Sequence, residues 1–153
     1  MVIKLVLAVL AFVGQFALGA DPNAFEIHAV ASTASASTKV YPLARPASEI
    51  QTMVLYQKVL LDGSAIKAAT LEFRPNTSFL VIAVTLTKEG TAQFGKITTE
   101  YVGKQLAFVV AGKIEMAPMV AEPLLSPNFQ IDGTRSFKEA SDLVLLLNKQ
   151  SRQ

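Results

Sequence analysis

The first twenty residues constrain the fold most, because they read as a segment removed before the rest of the chain folds. Lys4 is the only charged side chain among them. Leu5 to Val13 is continuously apolar, Phe16-Ala17-Leu18 resumes the run after Gly14-Gln15, and Gly19-Ala20 supplies small side chains ahead of polar Asp21-Pro22-Asn23. A positive start, an apolar middle and small residues at the end are the order of a cleavable secretory signal. The run that ends at Gly14 is shorter than the roughly 20 residues a helix needs to cross a bilayer. Cleavage is expected after Gly19 or Ala20, and the absence of cysteine at that junction excludes a lipid-anchored product. The expectation is therefore a periplasmic protein with no stable membrane insertion once the signal has gone.

The formal net charge of +2 falls to +1 when Lys4 leaves with the signal. A chain so near neutrality has no long-range attraction for nucleic acid or an anionic membrane. About 133 residues remain, enough for one domain with a real core. The chain has no cysteine and one histidine. Packing must supply its stability, and thiolate metal sites are impossible. No cofactor is expected.

Organisation follows from local pattern. Phe25-Glu26-Ile27-His28-Ala29 alternates as a half-buried strand does. Ala31 to Thr38 is an Ala/Ser/Thr run with nothing large to bury, and Pro42 and Pro46 extend the irregularity. Residues 21–48 are thus expected as an N-terminal arm and linker, and residues 49–150 as the main domain. Within that domain a strand is expected over Met53, Leu55, Gln57 and Val59. Asp62-Gly63-Ser64 is expected to cap a short helix over Ala65 to Ala68, and Leu71 and Phe73 show strand spacing. Pro75-Asn76-Thr77-Ser78 has turn chemistry, leading into the β-branched run Phe79 to Val84, a central strand.

Thr87 is an N-cap with Glu89 in the first turn of a helix whose Phe94, Ile97 and Tyr101 share one face. Gly103 suits a left-handed stop. Leu106 to Val110 and Lys113 to Met116 form a hairpin around Ala111-Gly112. Residues 117–127 hold Pro118, Pro123 and Pro127 and cannot be regular central structure. Phe129 to Asp132 is a short strand before Gly133. Ser136 and Glu139 form a capping box for a last helix with the stripe Ala140, Leu143, Val144, Leu147. Strands and helices in this order predict an α+β fold.

The segment from Thr87 carries a further pattern: Thr87-Lys88-Glu89-Gly90, Phe94, Ile97-Thr98, Val102-Gly103-Lys104, Leu106-Ala107, Gly112-Lys113-Ile114, Ala117-Pro118, Glu122-Pro123 and Ile131-Asp132-Gly133. With Leu60 to Ala69 upstream, residues 55–148 resemble the head of the first periplasmic domain of the SecD protein-export family. The resemblance implies a ferredoxin-like α+β fold, a mainly antiparallel sheet with helices packed on one face. It also implies contact with exported polypeptide, without the membrane helices through which that family couples to a proton gradient. Two positions depart from the family pattern: Ala111 stands where an acidic residue is usual, and Ser126-Pro127-Asn128 replaces a glycine-rich approach to the next strand.

Catalytic chemistry has little support. His28 lacks a second imidazole or thiol for a metal site and is expected as an ordinary exposed strand residue. Asp62, Asp132 and Asp142 read as solvated caps and surface groups, not as paired carboxylates for hydrolysis. No phosphate loop and no nucleophile elbow are present, so the protein is not expected to be an enzyme. The candidate binding residues are Met116, Met119, Val120, Leu124 and Leu125, an apolar cluster in the proline-broken link. Methionine adapts to varied apolar surfaces, so the cluster suits a polypeptide or protein partner. Two functions fit: a non-enzymatic binding module for exported or unfolded polypeptide, or a dedicated partner-binding protein of the inhibitor or immunity type.

Overall fold

The computed structural model describes residues 24–47, 49–132 and 136–152. The expected signal segment, and Gly133, lie outside the described residues. Among the described residues, nine strands and two α-helices occur in the order β1 (Phe25–Ala29), β2 (Thr38–Ala47), β3 (Ile50–Tyr56), β4 (Leu61–Asp62), β5 (Ile66–Phe73), β6 (Leu80–Leu86), α1 (Lys88–Glu100), β7 (Leu106–Val110), β8 (Lys113–Met116), β9 (Asn128–Ile131) and α2 (Phe137–Gln150). The fold is mixed α+β and mostly antiparallel. The strands are divided between two sheets, however, where one was expected: a six-stranded sheet, β3-β2-β8-β7-β1-β4, and a three-stranded sheet, β5-β6-β9. Among the described residues, the one parallel contact is β2 on β8, through Leu43 and Ile114.

The main core lies between the two sheets and the helices. Phe25, Phe94, Phe108 and Phe129 meet there with ring centroids 5.4–6.3 Å apart. Strand β7 explains why its sequence is continuously apolar. Leu106, Phe108 and Val110 enter the main core, while Ala107 and Val109 enter a second, smaller one with Leu55 and Ile114. A strand buried on both faces has no polar side to show.

The second core exists because the larger sheet curls. Its edge strand β3 returns to the end of β1 through a Val30–Leu55 bridge and a hydrogen bond from the Ala31 N–H to the Val54 carbonyl at 2.9 Å. Strand β1 is accordingly not part of an arm. It pairs with β7 from Phe25↔Val110 to Ala29↔Leu106, and with β4 on its other side. His28 is 1% exposed, not the surface residue expected.

Three further differences concern single elements. Pro42 and Pro46 lie within β2, where the pairing with β3 breaks register between Pro42 and Ala47 and tolerates residues without N–H donors. Asp62 does cap a turn, its carboxylate accepting from the Ser64 N–H at 2.9 Å, but the turn is a single 3₁₀ turn, Gly63–Ala65. The expected helix over 65–68 is instead the start of β5, because pairing with β6 overrides the local preference of an alanine-rich run. Strand β3 ends at Tyr56; just beyond it the Gln57 N–H donates to the Ser37 carbonyl at 2.9 Å and the Gln57 side chain donates to the carbonyls of Ala36 and Thr38.

Both long helices start as expected. Thr87 Oγ1 accepts from the Gly90 N–H at 2.9 Å, and Ser136 and Glu139 form a reciprocal capping box. Gly103 (φ 79°) ends α1 in the left-handed region, and Ala111 (φ 49°) with Gly112 (φ 77°) makes the β7–β8 turn.

Candidate functional site: an apolar pocket under a proline-rich strap

Between β8 and β9 the chain crosses α1 without regular structure. Its first part is tied to the loop after α1. The Gly103 N–H donates to the Val120 carbonyl (2.8 Å), and the Val120 N–H donates to the Lys104 carbonyl (2.9 Å). Its last part is tied to β6 by the Leu86 N–H donating to the Pro127 carbonyl at 2.7 Å. Residues 121–127 are all exposed.

Beneath this strap lies a partly open apolar pocket of about 200 Å³, whose floor is Phe94, Leu106 and Phe108, with Val120 in its wall and Met119 and Leu124 at its rim. The floor residues are 1–4% exposed and belong to the main core. The pocket therefore bottoms on core residues that are themselves almost fully covered.

The five residues expected to bind a partner separate into three environments. Met119 (59% exposed) and Leu124 (41%) stand at the pocket rim. Leu125 (74%) lies beyond it, in a shallow groove along α1 with Thr91, Gly95, Lys96 and Thr99. Val120 is buried in the pocket wall, and Met116 is partly buried against the main core opposite Phe108. Sequence reasoning missed Thr98 and Gly95. Thr98 is fully buried, and its Oγ1 donates to the Phe94 carbonyl and accepts from the Leu124 N–H at 2.9 Å. At Gly95 a Cβ would stand 3.0 Å from Leu125 Cδ2, so the missing side chain lets the strap lie close to the helix.

A polar cleft of about 680 Å³ adjoins the pocket across Met119, lined by Ser32, Tyr56, Tyr101, Lys104 and Gln105. Burial holds the Tyr101 phenol above its usual range, with the Glu100 carboxylate and Tyr56 adding to the effect. Lys104 Nζ lies 5.2 Å from the centre of the Tyr101 ring.

The carboxylates considered for catalysis are dispersed. Asp62 caps its turn, Asp132 pairs with Arg74 at 2.7 Å and Asp142 pairs with Lys138 at 2.7 Å. His28 Nε2 bonds Glu26 Oε2 at 2.9 Å, and its Nδ1 bonds the Tyr56 carbonyl at 2.8 Å. A carbonyl can only accept, so Nδ1 carries a hydrogen. Among the described residues no group of three or more His, Cys, Asp or Glu side chains could hold a metal, and no helix is long and apolar enough to cross a membrane.

These features define a class: a small α+β module with an apolar pocket over its core. Residues 38–151 match the family described as the SecDF P1 head subdomain, and the chain belongs to that family. It is 32% identical over 98 residues to protein translocase subunit SecD of Desulfurispirillum indicum, covering 64% of this chain and 19% of the relative. It is 33% identical over 120 residues to the subunit of the same name from Syntrophobacter fumaroxidans, covering 74% of this chain and 22% of that one. Its fold is similar to SecDF in a super-membrane-facing form, with TM-score 0.67, 23% identity, and coverage of 82% of this chain and 18% of the other. It is also similar to a SecDF described as a membrane component that enhances protein export, with TM-score 0.64, 22% identity, and coverage of 82% and 62%. At those identities the structural likeness shows the fold. The chain spans about a fifth of the length of the SecD relatives named here.

Proposed function

We propose that this chain is a non-enzymatic module of protein export, placed in the periplasm by its N-terminal signal, where it holds apolar segments of exported or unfolded polypeptide. The observation that carries the reading is the pocket. Core aromatics Phe94 and Phe108 form its floor beneath exposed Met119 and Leu124, with Leu125 continuing the apolar surface along α1. Isolated exposed apolar residues are ordinary, but an apolar pocket rimmed by them marks an interaction site. Membership of the P1 head family and the resemblance to SecD support the export context.

The test is a titration of a permanently unfolded polypeptide into the chain lacking residues 1–20, beside the Met119→Ser/Leu125→Ser variant. Both side chains are exposed, so the variant is expected to fold. Binding weakened at least several-fold in the variant supports the site. Equal binding, or none by the parent, overturns it. Recovery of one stoichiometric folded partner from periplasmic extract, with no unfolded clients, would favour the dedicated partner-binding alternative. The signal is tested by the mass of the protein recovered from the periplasm, expected to begin at Ala20 or Asp21.

A further inference from the structure

We propose that residues 120–127 act as a hinged strap over the apolar pocket, and that the hydrogen bond between Thr98 and Leu124 is its latch. This rests on the binding reading above and adds to it a gate and a ligand class. The strap is anchored at both ends by backbone hydrogen bonds, from Gly103 to Val120 and from Leu86 to Pro127. Across its middle, among the described residues, one hydrogen bond joins it to the body: the Leu124 N–H donating to Thr98 Oγ1 at 2.9 Å.

The hydroxyl can play this part because its own proton is already committed to the Phe94 carbonyl at 2.9 Å, which leaves a lone pair directed at the strap. Pro123 and Pro127 have no N–H to lose, so the strap gives up few hydrogen bonds on lifting. Segments that are exposed, irregular and sparsely bonded open at low free energy while the core stays closed.

The space beneath selects the ligand. A partly open pocket of about 200 Å³, with Phe94, Leu106, Phe108 and Val120 in its lining, offers apolar surface that an occupant would bury. Apolar cavities of roughly 150 Å³ accept a benzene-sized molecule. The occupant assigned is one bulky apolar side chain, aromatic or long aliphatic, carried by an extended polypeptide. Lifting Leu124 widens the mouth toward the groove at Gly95 and Leu125, where the flanking residues of that polypeptide would lie.

Thr98→Val keeps the shape and removes the acceptor, whereas Thr98→Ser keeps the acceptor. Toluene, the phenylalanine side chain as a free molecule, serves as the probe, followed by NMR at the Leu106 and Val120 methyl groups. Loss of one hydrogen bond should speed amide exchange at Leu124 and tighten toluene binding, each by roughly 3- to 10-fold. The serine variant should stay near the parent. Unchanged Leu124 exchange in the valine variant, or no toluene shifts at those methyls in either protein, overturns the proposal. If the valine variant does not fold, the parent alone decides. Saturating toluene should accelerate exchange at the Leu124 amide and not at Gly103, and equal rates with and without toluene overturn the latch. The two readings fail separately. A strap that gates toluene in a protein that binds no unfolded polypeptide removes the function only, and polypeptide binding indifferent to Thr98→Val removes the strap only.

Discussion

The side-chain amide of Asn148 on α2 makes two hydrogen bonds to one residue of β5: its Oδ1 accepts from the Ala69 N–H and its Nδ2 donates to the Ala69 carbonyl, both at 2.8 Å. Ala69 pairs with Val84 on its other side, so Asn148 takes the place of a missing strand at the edge of the smaller sheet. Asn148→Ala leaves a buried N–H and carbonyl without partners and should cost about 1–3 kcal/mol. Asn148→Asp should cost at least as much, since a carboxylate can accept from the N–H but repels the carbonyl. Urea unfolding should show a lower midpoint with an unchanged slope for both variants. An unmoved midpoint would show that water replaces the amide without loss.

Two glycines of α1 should respond oppositely to alanine. At Gly90 a Cβ would stand 2.6 Å from the Ala65 carbonyl oxygen and 2.8 Å from its Cβ, in backbone that cannot yield cheaply. Overpacking of that kind costs about 1–3 kcal/mol, more than the roughly 1 kcal/mol gained in helix propensity. At Gly95 the nearest obstacle is Leu125 Cδ2 at 3.0 Å, the end of a side chain that is 74% exposed and free to turn. Gly90→Ala should lower the thermal midpoint and Gly95→Ala should hold or raise it. The same sign for both would contradict the geometry.

What could be read from sequence was local. Thr87, the Ser136–Glu139 box, Asn76 (φ 62°) in the β5–β6 turn and Ala111-Gly112 announce their structures within a few residues. The placement of β1 between β7 and β4 was not legible, because Glu26 and His28 look like a solvent face and in fact bond each other beneath the curled sheet. The helix expected over 65–68 failed for the same reason: its competitor is pairing with β6 across 17 to 20 residues of sequence, Ala68↔Thr85 and Ile66↔Leu86. At the site, Met119, Leu124 and Leu125 stood out as apolar residues among prolines. Thr98 did not, since a threonine inside a helix gives no sign that its hydroxyl holds a distant loop.

Arg45 joins the two sheets. Its Nη1 donates to Glu115 Oε2 at 3.2 Å, and its Nη2 donates to the backbone carbonyls of Glu115 and Asp132 at 3.3 and 3.2 Å. Glu115 lies on β8 of one sheet, and Asp132 follows β9 of the other. A lysine is a single point of charge and cannot span three acceptors. Arg45→Lys and Arg45→Ala should both destabilise, the alanine by about 1–3 kcal/mol in urea midpoints converted with a common slope. Full retention of stability by lysine would mean that charge alone, not the planar fork, makes the joint.

Tyr101 should contribute to the loss of stability at alkaline pH. Its phenol is held above the ordinary value of 10.0 by burial first, then by Glu100 and Tyr56. The unfolded chain therefore loses this proton before the folded one does. The stability linked to Tyr101 is whole below about pH 10 and declines as pH rises through the raised folded value. Phenolate absorbance of the parent minus that of Tyr101→Phe should show a step above pH 10, and the variant should lose less stability over that range. A difference step at or below 10 would reverse the sign.

His28 closes the seam where the larger sheet meets its own edge. The imidazole is 1% exposed, donates from Nδ1 to the Tyr56 carbonyl on β3 at 2.8 Å and bonds Glu26 on β1 at 2.9 Å, with the Tyr41 ring centre 5.4 Å away. Glu26 is 18% exposed and can turn toward water if the ring is lost, whereas the Tyr56 carbonyl belongs to the seam backbone. His28→Leu fills the space and removes both bonds, so its cost should be that of one orphaned carbonyl, about 1–3 kcal/mol. The loss should be local first. The Ala31 amide, which donates to the Val54 carbonyl beside the seam, should exchange faster than the global stability of the variant requires, and the Ala69 amide should not. If Ala31 and Ala69 accelerate equally, His28 supports the whole domain and not this seam.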